Sequence, residues 1–289
     1  MSPRSRSAVF VMVPALVLAV GAVVLVSKPR HRSSIGDGAS TPAPPSLARA
    51  PGGPAVSPVA AVGPGHRGPV AGTDGRVQIP VADRIPLRLP AEGLPAGWGL
   101  KEFTGRAAIE LVRDDAGLAM RLRSAHTSFV VYRDAMVDLR EFQILSWRWR
   151  VVKLPRAGDV RAAATDDQAA QVYVTFPRWP SPLVNSEVIG YVWDSRAPVG
   201  TRLTSTKAPN VRIIVVASGT AQLGVWQRQE RNVAEDYVAL FGRQPPRVGQ
   251  VGLMIDSNDT RTEAEAFFGG LTFTKARSER MEKPTSMLR

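Results

Sequence analysis

Leu145-Ser146-Trp147-Arg148-Trp149-Arg150-Val151 alternates large apolar and polar side chains without a break. A strand points successive side chains to opposite faces, so this period of two sets Leu145, Trp147, Trp149 and Val151 against a core and leaves Ser146, Arg148 and Arg150 outside. Leu118, Met120 and Leu122 repeat the pattern against Ala119, Arg121 and Arg123. Further β-rich runs cover residues 127–134, 171–176, 188–193, 211–217, 225–231, 251–256 and 270–274, each bounded by Pro, Gly, Asn or Asp. Many short strands at close spacing predict an all-β, jelly-roll-like antiparallel β-sandwich.

One short helix interrupts the strands. Asn232 stands three residues before Glu235, as in a capping box, and Val233, Tyr237, Leu240 and Phe241 follow at helical spacing. Gly242 and Pro245-Pro246 stop it. Such a helix is expected to plug one end of the sandwich.

Working outward, the aromatic residues set the limits of the core. All six Trp, all four Tyr and eight of the nine Phe lie after residue 97, which predicts one globular domain over residues 97–275. Residues 28–96 read as a Pro/Gly/Ala-rich disordered stalk, since residues 27–75 alone hold nine Pro and nine Gly and no aromatic. Residues 276–289 read as a basic disordered tail.

Residues 8–26 carry no charge. As a helix they would span roughly 29 Å, about the hydrocarbon thickness of a bilayer. The flank Ser27-Lys28-Pro29-Arg30 lacks a small-x-small cleavage pattern, so residues 1–27 read as an uncleaved signal-anchor and transmembrane helix, with a cleaved signal peptide as the rival. Arg4 and Arg6 nearly balance Lys28, Arg30 and Arg32, so charge leaves the orientation open. A stalk of this length suits a domain held outside the cytoplasm, at a bacterial cell envelope.

The formal charge of +12 is concentrated at the ends. The first 75 residues hold +5 and the last 16 hold +3, so the domain is only mildly basic and nucleic acid is not expected as a partner. The absence of cysteine excludes disulfides, thiolate metal sites and a cysteine nucleophile. Of three histidines only His126 lies in the expected domain, which leaves no multi-histidine chemistry, and no Gly-x-Ser-x-Gly elbow surrounds Ser128 beside it.

Several segments together resemble an uncharacterised bacterial family, domain of unknown function 3047. They are Val130-Val-Tyr-Arg-Asp, Leu145-Ser-Trp-Arg-Trp, Thr165-Asp-Asp-Gln-Ala-Ala, Ile189-Gly-Tyr-Val-Trp-Asp, Asn210-Val-Arg, Arg231-Asn-Val-Ala-Glu-Asp-Tyr and Asp256-Ser-Asn-Asp-Thr. The resemblance covers about 180 residues and carries no known activity. The strand pattern also looks like the galactose-binding-like or jelly-roll sandwiches of many carbohydrate-binding modules, a likeness of fold that does not by itself imply function.

Three groups of residues could carry chemistry. Trp226, Arg228 and Glu230 alternate on one strand face, with Tyr191, Trp193 and Asp194 on a second strand and Arg212 on a third. Aromatic surface beside charged hydrogen-bonding groups can hold a polyhydroxylated ring, so these seven are the expected ligand-binding residues, against the simpler reading of core aromatics and a same-face ion pair. Asp166, Asp167 and Asp256 crowd loop positions and are the candidates if the domain is instead a carboxylate-dependent polysaccharide hydrolase or lyase. Asp256, Asn258 and Asp259 gather oxygen ligands at a turn, where structural calcium is conceivable, although Arg261 stands where an EF-hand needs glycine. No other cofactor is expected. The leading expectation is non-catalytic binding of a cell-envelope glycan or another polyhydroxylated ligand, with a structural envelope protein as a further reading; oligomeric state does not follow.

Overall fold

The computed structural model describes residues 72, 75–178 and 185–276. The anchor expected at residues 1–27, residues 28–71 of the expected stalk and the end of the tail lie outside them. Among the described residues no helix is long and apolar enough to cross a membrane.

Fifteen strands are described: β1 (Arg76–Ile79), β2 (Ala91–Glu92), β3 (Gly99–Thr104), β4 (Ala108–Asp114), β5 (Gly117–Ala125), β6 (Ser128–Val137), β7 (Ile144–Lys153) and β8 (Ala170–Phe176) come first. They are followed by β9 (Glu187–Asp194), β10 (Arg202–Thr204), β11 (Val211–Ser218), β12 (Gln227–Asn232), helix α1 (Val233–Phe241), β13 (Val248–Asp256), β14 (Glu263–Phe268) and β15 (Leu271–Thr274). They form two sheets. Sheet A centres on β7, which has β12 along one edge and β14 followed by β15 along the other. Beyond those come β5 beside β14 and β1 beside β15, then β4 and β2. Sheet B runs β10-β11-β9-β8-β13-β6-β3.

The inner faces meet in one core. Leu145, Trp147, Trp149 and Val151 of β7 are all buried, as their spacing demands, and Trp149 packs near Trp193 of β9 and Phe268 of β14 with ring centroids 6.1 and 6.4 Å away. Each large side chain taken fully from water contributes roughly 1.5–3 kcal/mol, and the tryptophans contact both sheets, so they fix the sheet spacing as well as stabilise it.

Sheet B departs from the expected pattern in two linked ways. Strands β9 and β11 run parallel, against the wholly antiparallel expectation, because the chain between them crosses over the outside of the sheet before returning. Ala197 and Ala208 of that crossover, with Val160 of an earlier loop, cover Val130, Val188, Val192, Val211, Ile213, Val215 and Met254. Sheet B is therefore buried on both faces, which is why β8 and β13 are buried throughout and show no alternation. Gly190 makes room on this face: a Cβ there would lie 2.4 Å from the Tyr173 ring.

The expected domain start at residue 97 is too late. Strand β1 pairs with β15 from Arg76 to Ile79, and Val77, Ile79, Val81 and Ala82 are buried in the core, so residues 76–96 belong to the sandwich and not to a stalk. No aromatic residue marks this stretch, yet two well-placed aliphatics suffice for an edge strand. Helix α1 begins as its sequence predicts, with the Asn232 side chain accepting from the Glu235 N–H at 3.2 Å, and ends at Gly242 in the left-handed conformation. It follows β12 of sheet A and reaches sheet B through Tyr237, whose ring meets Phe176 edge-on and whose hydroxyl donates to Glu187.

Candidate ligand groove and a buried acidic cluster

The outer face of sheet A is open. Register places Arg228 opposite Arg148 and Glu230 opposite Ser146, all pointing away from the core, while Thr272 lies across from Ser146 on the other side. Together with Arg76, Thr274 and Lys275 they line a groove of about 1250 Å³, to which Gly75, Gly270 and Ala276 also contribute. Four cations face one carboxylate there. Arg228 and Glu230 are 3.5 Å apart and both exposed, and Lys275 pairs with Glu141. Arg148 makes no ion pair among the described residues.

Arg148 is instead held by stacking. Its guanidinium lies 5.0 Å from the centre of the Trp226 ring, Arg150 lies 5.3 Å from the same ring and 4.3 Å from Phe267, and Arg121 lies 5.6 Å from Phe267. Trp226 Nε1 donates to Asp114 at 3.0 Å, and Asp114 also pairs with Arg150. The result is a ladder of cations and rings across sheet A, with acids as counterions, that fixes the wall of the groove. Gly269 permits it, since a Cβ there would come within 2.6 Å of the Arg148 side chain.

The seven residues expected to bind ligand do not gather in one place. Arg228 and Glu230 line the groove and Trp226 buttresses it. Tyr191 and Trp193 point inward from β9 and are buried in the core, where Tyr191 donates to Asp236 at 3.0 Å and Trp193 to the Gly219 carbonyl. Asp194 is completely buried and accepts backbone N–H groups of Val160, Arg196 and Ala197, so it pins the loops that roof sheet B. Arg212 lies on β11 over Phe241 of the helix. Strand spacing grouped these residues by composition, but β9 and β11 belong to the opposite sheet. Arg76, Ser146, Arg148, Thr272 and Thr274, not singled out in the sequence, complete the groove; the outward half of the β7 alternation already contained two of them.

The acidic residues do converge, on the outer face of sheet B beneath its roof. An oxygen from each of Asp167, Asp256 and Asp259 lies within 4.8 Å of the others. Asp167 Oδ1 accepts the Asp259 N–H at 3.1 Å, and Oδ2 accepts both the Thr260 N–H and its hydroxyl at 2.6 Å. Burial alone would raise this carboxyl, but donation from Asp256, Thr260 and the Asp259 backbone outweighs it and holds Asp167 below the usual carboxylate range. Asp256 is pushed the other way, far above that range, by burial and by the neighbouring Asp167. Burial also raises Asp166, whose oxygens accept from Gln168 and Thr206. Lys207 donates to Asp259, whose other oxygen accepts from Asn258. Burial opposes the Lys207 charge, but Asp256, Asp259 and Asp166 raise its pKa.

A retaining glycosidase holds its two carboxyls roughly 5 Å apart with room for a sugar between them. Asp167 and Asp256 instead share a hydrogen bond, and their surroundings are closed. Asp167 is fully buried, Asp256 is 4% exposed and Asp166 7%, under loops that a polysaccharide would have to displace. His126 is an exposed turn residue with φ of 58°.

With fold and site in view, the chain belongs to a family of two-sheet β-domains: the family described as protein of unknown function (DUF3047) matches residues 96–272. No curated protein matches the chain. Among solved structures it is similar to the family 11 carbohydrate-binding module of the cellulosomal cellulase Lic26A-Cel5E of Clostridium thermocellum, at 8% identity over 71% of this chain and 98% of that one, with a TM-score of 0.39. The xyloglucanase domain of NopAA from Sinorhizobium fredii, in complex with cellobiose, gives 10% identity, 65% and 96% coverage and a TM-score of 0.37. The family 11 xylanase of Neocallimastix patriciarum gives 10% identity, 68% and 95% coverage and 0.32. Likenesses this slight carry no argument about ligand, which rests on the groove itself.

Proposed function

We propose that the domain binds an acidic, polyhydroxylated polymer, such as an anionic cell-envelope glycan, along the outer face of sheet A. The observation that carries this reading is Arg148: a guanidinium immobilised on Trp226, without a carboxylate partner among the described residues, on the wall of an open groove. Arginine offers a planar fork of donors that matches a carboxylate or sulfate, and Ser146, Thr272 and Thr274 place hydroxyls on the same surface for sugar hydroxyls. The face is polar rather than aromatic, so the ligand is gripped by charge and hydrogen bonds more than by ring stacking. The apolar run at residues 8–26 would hold this domain at a membrane, on the outer side, where such polymers occur.

The test is a glycan array with the folded full-length chain, followed by titration of the best acidic hit. Acidic glycans should bind, their neutral counterparts should not, and affinity should fall steeply with salt. A blank array, or binding untouched in an Arg148→Ala/Arg228→Ala double variant, would refute the proposal.

A further inference from the structure

The acidic cluster has a property that its internal hydrogen bonds do not satisfy. Asp256 is 96% buried, from its 4% exposure, and its Oδ1 has no donor among the described residues. Its nearest companions are the carboxylates of Asp167 and Asp259, and Asp166 adjoins Asp167 in the chain, so four acids share the single ammonium of Lys207. A buried carboxyl oxygen without a donor loses its hydration with nothing in exchange, and buried polar atoms usually have a partner.

Geometry indicates which partner fits. Oxygens bound to one calcium ion at about 2.3–2.6 Å can be at most about 5 Å apart, so three oxygens mutually within 4.8 Å can share one ion with little movement. Both oxygens of Asp259 accept one hydrogen bond each and so keep a lone pair to offer. Magnesium suits the place less, because it gives up its waters reluctantly and these carboxylates are largely dry. We infer that Asp167, Asp256 and Asp259 form a binding site for a hard divalent cation of the calcium type, and that Lys207 is its built-in competitor for Asp259. The ion would join two chain segments, the approach to β8 and the turn after β13, and would release Lys207 of the crossover from Asp259. This site is separate from the groove on sheet A and does not depend on the reading given for it.

Calorimetric titration of chelator-treated full-length protein with calcium chloride tests this. One saturable site is expected, with dissociation in the range of about 10⁻⁵–10⁻³ M because the ion must displace an ammonium. Lys207→Met should tighten binding about tenfold, whereas Asp256→Asn should abolish it while near-ultraviolet circular dichroism stays native. A merely structural Lys207 would not produce that gain. Absence of a saturable signal in both wild type and Lys207→Met, or undiminished binding in folded Asp256→Asn, would overturn the inference; should Asp256→Asn fail to fold, an unchanged affinity in Lys207→Met would do so.

Discussion

The two outer faces of this sandwich began from similar material and ended differently. Sheet A presents alternating strands whose outward residues are Ser, Thr, Arg and Glu, and it remains open to solvent. Sheet B has lost the alternation, is roofed by the crossover before β11, and hides its charges in a cluster. Charge on the open face is available to a ligand at little cost in stability. Charge under the roof is committed to holding loops, and its removal leaves donors stranded in a dry place.

The largest effect should therefore come from Asp167. Asp167→Asn replaces one of two oxygens that together accept three hydrogen bonds and is expected to cost about 3 kcal/mol at neutral pH in urea unfolding. Because the folded carboxyl is held below its unfolded value, its contribution is complete above the ordinary carboxylate pKa of about 4 and disappears as pH falls through the folded value. The gap between wild type and variant should accordingly close in acid; a constant gap would show that packing and not ionisation is at stake. Asp194→Ala strands three backbone N–H groups and should cost about 2–3 kcal/mol, with faster proteolysis in the loops on either side.

Effects on the open face should be smaller in stability and visible in binding. Trp226→Ala removes the ring between Arg148 and Arg150 and is expected to cost about 1 kcal/mol while lowering affinity for an acidic glycan. Arg228→Ala should change stability by less than about 0.5 kcal/mol, since exposed ion pairs contribute little, yet weaken binding several-fold. Glu230→Gln sharpens the comparison most: stability should be unchanged and affinity for an anionic ligand should rise, as the one repelling carboxylate of the groove is gone. If Arg228→Ala proved as destabilising as Asp167→Asn, the distinction between the two faces would fail.

How much of this was legible in the sequence follows the same division. Strand β7, the helix cap at Asn232 and the β12 pair Arg228 and Glu230 announce themselves by period, because each has one wet and one dry side. Sheet B could be recognised as β but not placed, since runs buried on both faces carry no record of which way they face, and Tyr191 and Trp193 were grouped with residues of the other sheet for that reason. The acidic cluster drew on residues some 40 to 90 positions apart. Asp166, Asp167, Asp256 and Asp259 were visible as turn acids, whereas Lys207 and Thr260, which complete their surroundings, had no local signal. Strand β1 was missed because four residues at a sheet edge are too few to show a pattern.

Gly75 and Arg76 at one end of the described chain and Lys275 and Ala276 at the other all border the groove. The polypeptide thus enters and leaves the domain beside its open face. Any affinity handle, fluorescent protein or crystallisation truncation joined at either place would sit in the path of the proposed ligand.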